Sequence, residues 1–172
     1  MLKKTQDIIN RLSDYFLYVS MFFVLALILV TCAGVVGRYV FSFTANWLDE
    51  LRWHFFGIIF LAGSVYTLKI EGHVRVDIFY ARFSQKTKAI IDLMGSLLFL
   101  LPICYFVCTG GYIFFINSFD VGEFSENPGG LPYRWLIKGA IPVCFFFLFI
   151  QGVSFILMQI EIIFMTSESQ KD

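Results

Sequence analysis

Charged positions vanish from four stretches of this chain, and the apolar run in each sets the architecture. Residues 15–37 carry no charge over 23 positions, residues 93–119 none over 27, and residues 139–160 none over 22. Each exceeds the roughly 20 residues that a helix needs to cross a hydrocarbon layer about 30 Å thick. The fourth stretch, residues 55–68, spans 14 positions and is too short alone. It extends backward. Asn46, followed three residues later by Asp49, has the pattern of an N-cap with a capping carboxylate. Asp49 and Glu50 then fall in a first turn, where acids are favoured. The pattern predicts an all-α integral membrane protein with four transmembrane helices over approximately 12–40, 46–70, 85–119 and 132–164. The second starts with an amphipathic interfacial segment holding Asp49, Glu50, Arg52 and His54. Connections over 71–84 and 120–131 complete a single membrane domain, 1-172. Pro102, Gly110 and Gly111 predict a tilted or bent third helix, and Pro132 suits the first turn of the fourth.

Composition supports this pattern. The chain is 58% hydrophobic and 15% charged, with a mean hydropathy of +0.76. Soluble domains carry about 25% charged residues, so the apolar excess must face lipid or a partner. Thirteen basic and thirteen acidic residues balance to zero, which leaves no basic face for nucleic acid. Lys3 and Lys4 resemble the start of a signal peptide. The apolar run behind them is too long, and no small-residue cleavage pattern follows, so the first helix is expected to be retained.

Charge also sets an expected orientation. The N-tail (Lys3, Lys4, Arg11), the middle connection (Lys69, Arg75, Arg82, Lys86, Lys88) and the C-tail (Lys171) hold nine basic residues. The opposite side holds four, Arg38, Arg52, Arg134 and Lys138. The positive-inside rule places both termini in the cytoplasm and residues 120–131 outside. Trp47, Trp53 and Trp135 then mark the outer interface as an aromatic belt.

Candidate chemistry is sparse. Cys32, Cys104, Cys108 and Cys144 all lie within spans and read as small packing residues. His54 and His73 would be roughly 28 Å apart along a helix, too far to share one haem. No uncharged stretch holds the ionisable group that coupled pumps keep in the membrane. Gln151, Asn117 and Gln159 are the strongest polar groups there and read as helix–helix hydrogen bonds. No nucleophile–base pair, metal cluster or phosphate loop supports an enzyme. What stands out is charge at the outer ends of the helices: Arg38, Glu50, Arg52, Arg134 and Lys138. One reading is contact with water and lipid headgroups. The other is a fixed network in which Arg38 pairs with Glu50, while Arg134 and Lys138 bind acids of the outer loop or of a partner, since a charge near lipid is costly unless paired.

Three motifs then point to a family. They are Gly37-Arg38-Tyr39-Val40-Phe41 with Trp47, Glu50 and Leu51; Gly72-His73-Val74-Arg75-Val76-Asp77; and Gly129-Gly130-Leu131-Pro132-Tyr133-Arg134-Trp135 with Lys138, Ile141 and Pro142. In this order, and with four helices, the chain resembles the small transmembrane (DctQ-like) subunit of TRAP transporters, the tripartite ATP-independent periplasmic transporters, from about residue 8 to about residue 163.

The resemblance implies a small membrane subunit without cofactors. It would scaffold a large multi-helix transport subunit, here a separate chain, and help dock a periplasmic substrate-binding protein. Sodium would bind the large subunit and drive uptake of a small organic anion, a carboxylate or sulfonate, across a bacterial inner membrane. By the same resemblance, Arg38, Trp47 and Glu50 are structural residues at the outer ends of helices one and two. His73 and Asp77 shape the cytoplasmic loop, with a solvated His73 as the alternative, and Trp135 and Lys138 open helix four. Three other readings remain at this point: a stand-alone small transporter, a haem- or quinone-linked membrane redox protein, and an assembly factor for another complex.

Overall fold

A computed structural model describes residues 2–70 and 83–168. Among the described residues there are five α-helices: α1 (Leu2–Phe41), α2 (Asn46–Lys69), α3 (Gln85–Gly95), α4 (Leu101–Asp120) and α5 (Trp135–Glu168). A π-helical turn, Ser96–Leu100, joins α3 and α4 into one continuous rod. Four helical segments are long and apolar enough to cross a membrane. This is a multi-pass membrane protein with the expected number of spans.

The helix ends show where local chemistry and tertiary contact compete. Helix α1 starts ten residues before the expected position 12, at Leu2. It stops where Ser42 turns left-handed at φ 50° and the Phe43 N–H returns to the Gly37 carbonyl at 2.9 Å. Helix α2 begins at Asn46, but Asn46 does not cap it. The N-cap is Ala45, without a side-chain bond. The Asn46 amide instead donates to the Pro128 carbonyl at 2.9 Å, across to a distant loop. Ser84 caps α3 by accepting from the Thr87 N–H.

The third span widens just before Pro102. The Leu101 N–H bonds the Ser96 carbonyl, five residues back. Proline has no N–H to offer and crowds the preceding turn, so the rod relaxes there into a π turn. Pro132 lies outside the fourth span, which starts at Trp135. Pro142 lies within it and removes the N–H that the Lys138 carbonyl would otherwise accept.

The spans pack in the order α1, α2, α5, then α3–α4, with α5 also touching α1. Helix α5 is the centre: 39% of its most apolar window is buried, against 11–17% for the other three spans. Val65, Leu68, Cys104, Leu148 and Phe155 form the core, with Phe16, Leu100 and Met158 against it. Glycines let helices approach closely, as membrane packing favours. A Cβ on Gly111 would sit 3.1 Å from Ile141 and 3.3 Å from Pro142, and one on Gly152 would sit 3.1 Å from Leu101. Of the four cysteines, Cys104 and Cys144 are buried, and the Cys108 thiol donates to the Pro142 carbonyl at 3.5 Å.

Polar joints tie the end of the bundle where α1 begins and α5 ends. Gln151, only 3% exposed, accepts from the Ser13 hydroxyl at 2.7 Å and donates to Asn10 at 3.3 Å. Lys69 at the end of α2 pairs with Asp14 of α1. Large apolar side chains, Phe22, Leu29, Phe60 and Phe106 among them, cover the outside.

Replacing Gly111 with leucine is expected to force α4 off α5 and lower thermal stability in detergent by about 1–3 kcal/mol, as overpacking does. Gly110→Leu is the control, because a Cβ at that position would meet nothing within 4 Å. Equal losses in the two variants would contradict the close α4–α5 contact.

Candidate functional site

The opposite end of the bundle carries residues 42–45 and the 121–134 loop, and its charged residues converge on that loop. Glu50, in the first turns of α2, is half-buried beneath it. Its Oε1 accepts hydrogen bonds from the Ser125 hydroxyl and from Asn127 Nδ2, the latter at 2.8 Å. Its Oε2 accepts from the Leu131 N–H at 2.7 Å. Hydrogen bonds to an ionised acceptor are the stronger kind, and here three of them gather one loop onto one carboxylate.

The loop is shaped to deliver these donors. The Ser125 N–H bonds the Leu131 carbonyl at 3.2 Å, and the Gly130 N–H bonds the Asn127 carbonyl at 2.9 Å. Gly129 takes φ 69°, a conformation that glycine adopts freely. Gly130 is required by space: a Cβ there would fall 2.4 Å from Ser125 Oγ and 2.8 Å from Glu50 Oε1. Asn46 adds its bond to Pro128 from the other side of the α2 terminus.

A second contact closes the loop onto α5. Lys138 pairs with Glu123, and its ammonium lies 3.9 Å from the centroid of the Phe114 ring, a cation–π distance. The Arg134 N–H bonds the Glu123 carbonyl at 3.1 Å. The hydrogen bond from Lys138, with the positive charges of Lys138 and Arg134, holds the Glu123 carboxyl below its ordinary value of 4.5.

The other singled-out residues sort as follows. Arg38 is exposed at the end of α1 and does not pair with Glu50. That expected pairing fails because neutral donors of the loop occupy both Glu50 oxygens. Arg52 bonds Asp49 at 2.8 Å and lies over Gly34 of α1, where a Cβ would meet its Nη2 at 2.5 Å. So Arg52 over Gly34, rather than Arg38 with Glu50, brings a charged side chain across the α1–α2 seam. Trp47 is exposed. Trp135 is half-buried and packs on Phe119 at 5.3 Å and Phe115 at 6.2 Å. His54 Nδ1 lies 2.6 Å from the Glu50 carbonyl, so it serves its own helix. His73 and Asp77 lie outside the described residues. Charge patterning did not reveal Ser125 or Asn127, and the cap pattern at Asn46 pointed to its own helix rather than to the loop. The sequence signal for Asn127 is the Asn-Pro-Gly-Gly turn that places it.

The arrangement is a fastening. Both Glu50 oxygens accept from the chain's own donors, so this carboxylate is engaged within the fold. Among the described residues, no group of three or more His, Cys, Asp or Glu side chains gathers to hold a metal ion. Comparison with known families identifies a transporter component: a family model described as tripartite ATP-independent periplasmic transporters, DctQ component, matches residues 27–161. No curated protein matches the chain.

Two measurements check the fastening. Glu50→Gln keeps the shape but turns an amide N–H₂ toward a donor, so amide exchange in residues 123–131 is expected to speed up by on the order of tenfold or more. Unchanged protection would show that Glu50 does not hold the loop. A carboxyl whose value is lowered on folding stabilises the fold above its ordinary value, and that contribution is lost as the pH falls through the lowered one. The stability tied to Glu123 is therefore full above pH 4.5 and declines below it. Melting in detergent between about pH 6 and about pH 3 is expected to be less steep for Glu123→Gln than for the wild type; identical profiles would contradict the pairing.

Proposed function

The chain belongs to the DctQ family, the small-subunit component of tripartite ATP-independent periplasmic transporters, and on that premise we propose that it acts as a fixed brace for a separate, large transport subunit. The family is a transporter component and not an enzyme family. The large subunit carries the substrate and coupling-ion sites, and sodium drives uptake of a small organic anion, a carboxylate or sulfonate. The protein sits in a bacterial inner membrane with both termini in the cytoplasm. Its 121–134 loop faces outward and helps dock the soluble binding protein.

The observation that carries this reading is how the chain uses its membrane-border carboxylates. Glu50 and Glu123 are engaged by the chain's own loop and by Lys138. The four uncharged stretches contain no Asp, Glu, Lys, Arg or His. Ionisable groups inside the membrane are common markers of an ion path, and their absence from these stretches supports placing the path on a partner. The apolar faces of α1 and α4, far larger than a soluble monomer tolerates, supply surface for lipid and for that partner. The charge count of nine basic residues against four supports the orientation.

Tagging the chain in its native gene context and purifying it in mild detergent tests the reading. A large hydrophobic subunit at equal stoichiometry is the expected result. A chain that purifies alone, or with a coloured cofactor, would overturn it.

A further inference from the structure

Tyr133 holds φ 61°, a left-handed angle at which a residue with a Cβ is strained and glycine is not. The same loop places glycine at its other two left-handed positions, Gly122 at φ 60° and Gly129 at φ 69°. Tyrosine at position 133 therefore carries a backbone cost that glycine would not. Its side chain is 58% exposed and lies against Phe124, itself 66% exposed, with ring centroids 6.5 Å apart. Behind the pair, rings continue inward: Tyr133 to Trp135 at 6.3 Å, then Trp135 to Phe119 at 5.3 Å. The backbone under the pair is pinned by the Glu50 bonds and by the Lys138–Glu123 pair. Two aromatic rings are therefore displayed on a stiff support. Stiff aromatic anchors are what protein interfaces use as hot spots, because they lose little entropy on contact.

Charge indicates what meets them. Glu126 is exposed on the same loop and Asp120 is exposed at the end of α4 where the loop begins, and neither has a hydrogen-bond or ion-pair partner among the described residues. Glu126 lies two residues from Phe124, whereas Arg134, beside Tyr133, is half-buried and acts on Glu50 and Glu123. Exposed acids disfavour an anionic lipid surface and favour a basic protein surface. We propose that Phe124 and Tyr133 form an aromatic docking platform for the soluble component of the transporter, whose matching surface is an apolar socket rimmed with lysine or arginine. This rests on the reading above that the chain is the small subunit of such a system, with this loop outside.

The test uses the complete transporter in proteoliposomes, with the soluble protein titrated outside. Phe124→Ala and Tyr133→Gly are expected to raise the concentration of soluble protein needed for half-maximal uptake by on the order of tenfold, as truncated hot spots do. The maximal rate and co-purification of the large subunit should stay as in the wild type. Tyr133→Gly relieves the backbone, so its melting temperature should not fall. Asp120→Lys with Glu126→Lys should weaken docking further and reverse its salt dependence. An unchanged titration in all three variants overturns the platform. So does a platform variant that loses the large subunit, which would make the rings part of that interface, or wild-type rings quenched by brominated lipid, which would make them a membrane anchor. A wild type that co-purifies with no large subunit overturns the parent reading, and the platform with it.

Discussion

One carboxylate holds the loop end of this protein together. Glu50 stands in the first turns of α2, yet its three hydrogen bonds go to residues 75, 77 and 81 positions further along the chain. It thereby joins the α1–α2 hairpin to the half built from α3, α4 and α5. Hydrogen bonds to an ionised acceptor are stronger than those between neutral groups, so these three donors hold the loop firmly. Remove it, and the Ser125, Asn127 and Leu131 donors lose a shared acceptor at once.

The two ends of the bundle are fastened by different means, and the membrane explains why. Between them, lipid offers no hydrophobic drive for helix association, so close packing at Gly111, Gly139 and Gly152 carries the contact. At the end where α1 begins, Ser13, Asn10 and Gln151 bond side chain to side chain, and Asp14 meets Lys69. At the loop end, a folded connection crosses over and is locked by Glu50 and Lys138. A body held at both ends and packed through its middle suits a brace. A moving carrier would need one of these contacts to have an alternative.

The fold was readable to the extent that it depends on the absence of charge. Four charge-free stretches gave four spans, because lipid punishes charge wherever it occurs along a helix. What depended on distant partners was not readable. Residues 2–11 lack an apolar stripe, so nothing in them announced that α1 continues through them. Pro102 foretold a bend, but not that Leu101 would reach Ser96 to form a π turn. Asn46 carried a cap pattern, but a loop 82 residues away offered its amide the Pro128 carbonyl instead. The charge pattern nominated Glu50 and Lys138 and matched Lys138 to an outer-loop acid. It mispaired Glu50 with Arg38, because the donors that bind Glu50 are neutral and a count of charges cannot see them.

The central claim is that this clasp stays closed while the transporter works. Cysteines at positions 46 and 128, joined by a short thiol cross-linker in a variant whose four native cysteines are replaced, would lock it covalently. Asn46 and Pro128 already touch, so the cross-link asks no new geometry of a closed clasp. Uptake by the reconstituted complex should then match that of the same variant before cross-linking. Uptake abolished by cross-linking and restored by a cleavable linker would mean that the clasp opens during transport, and that this chain is a moving part.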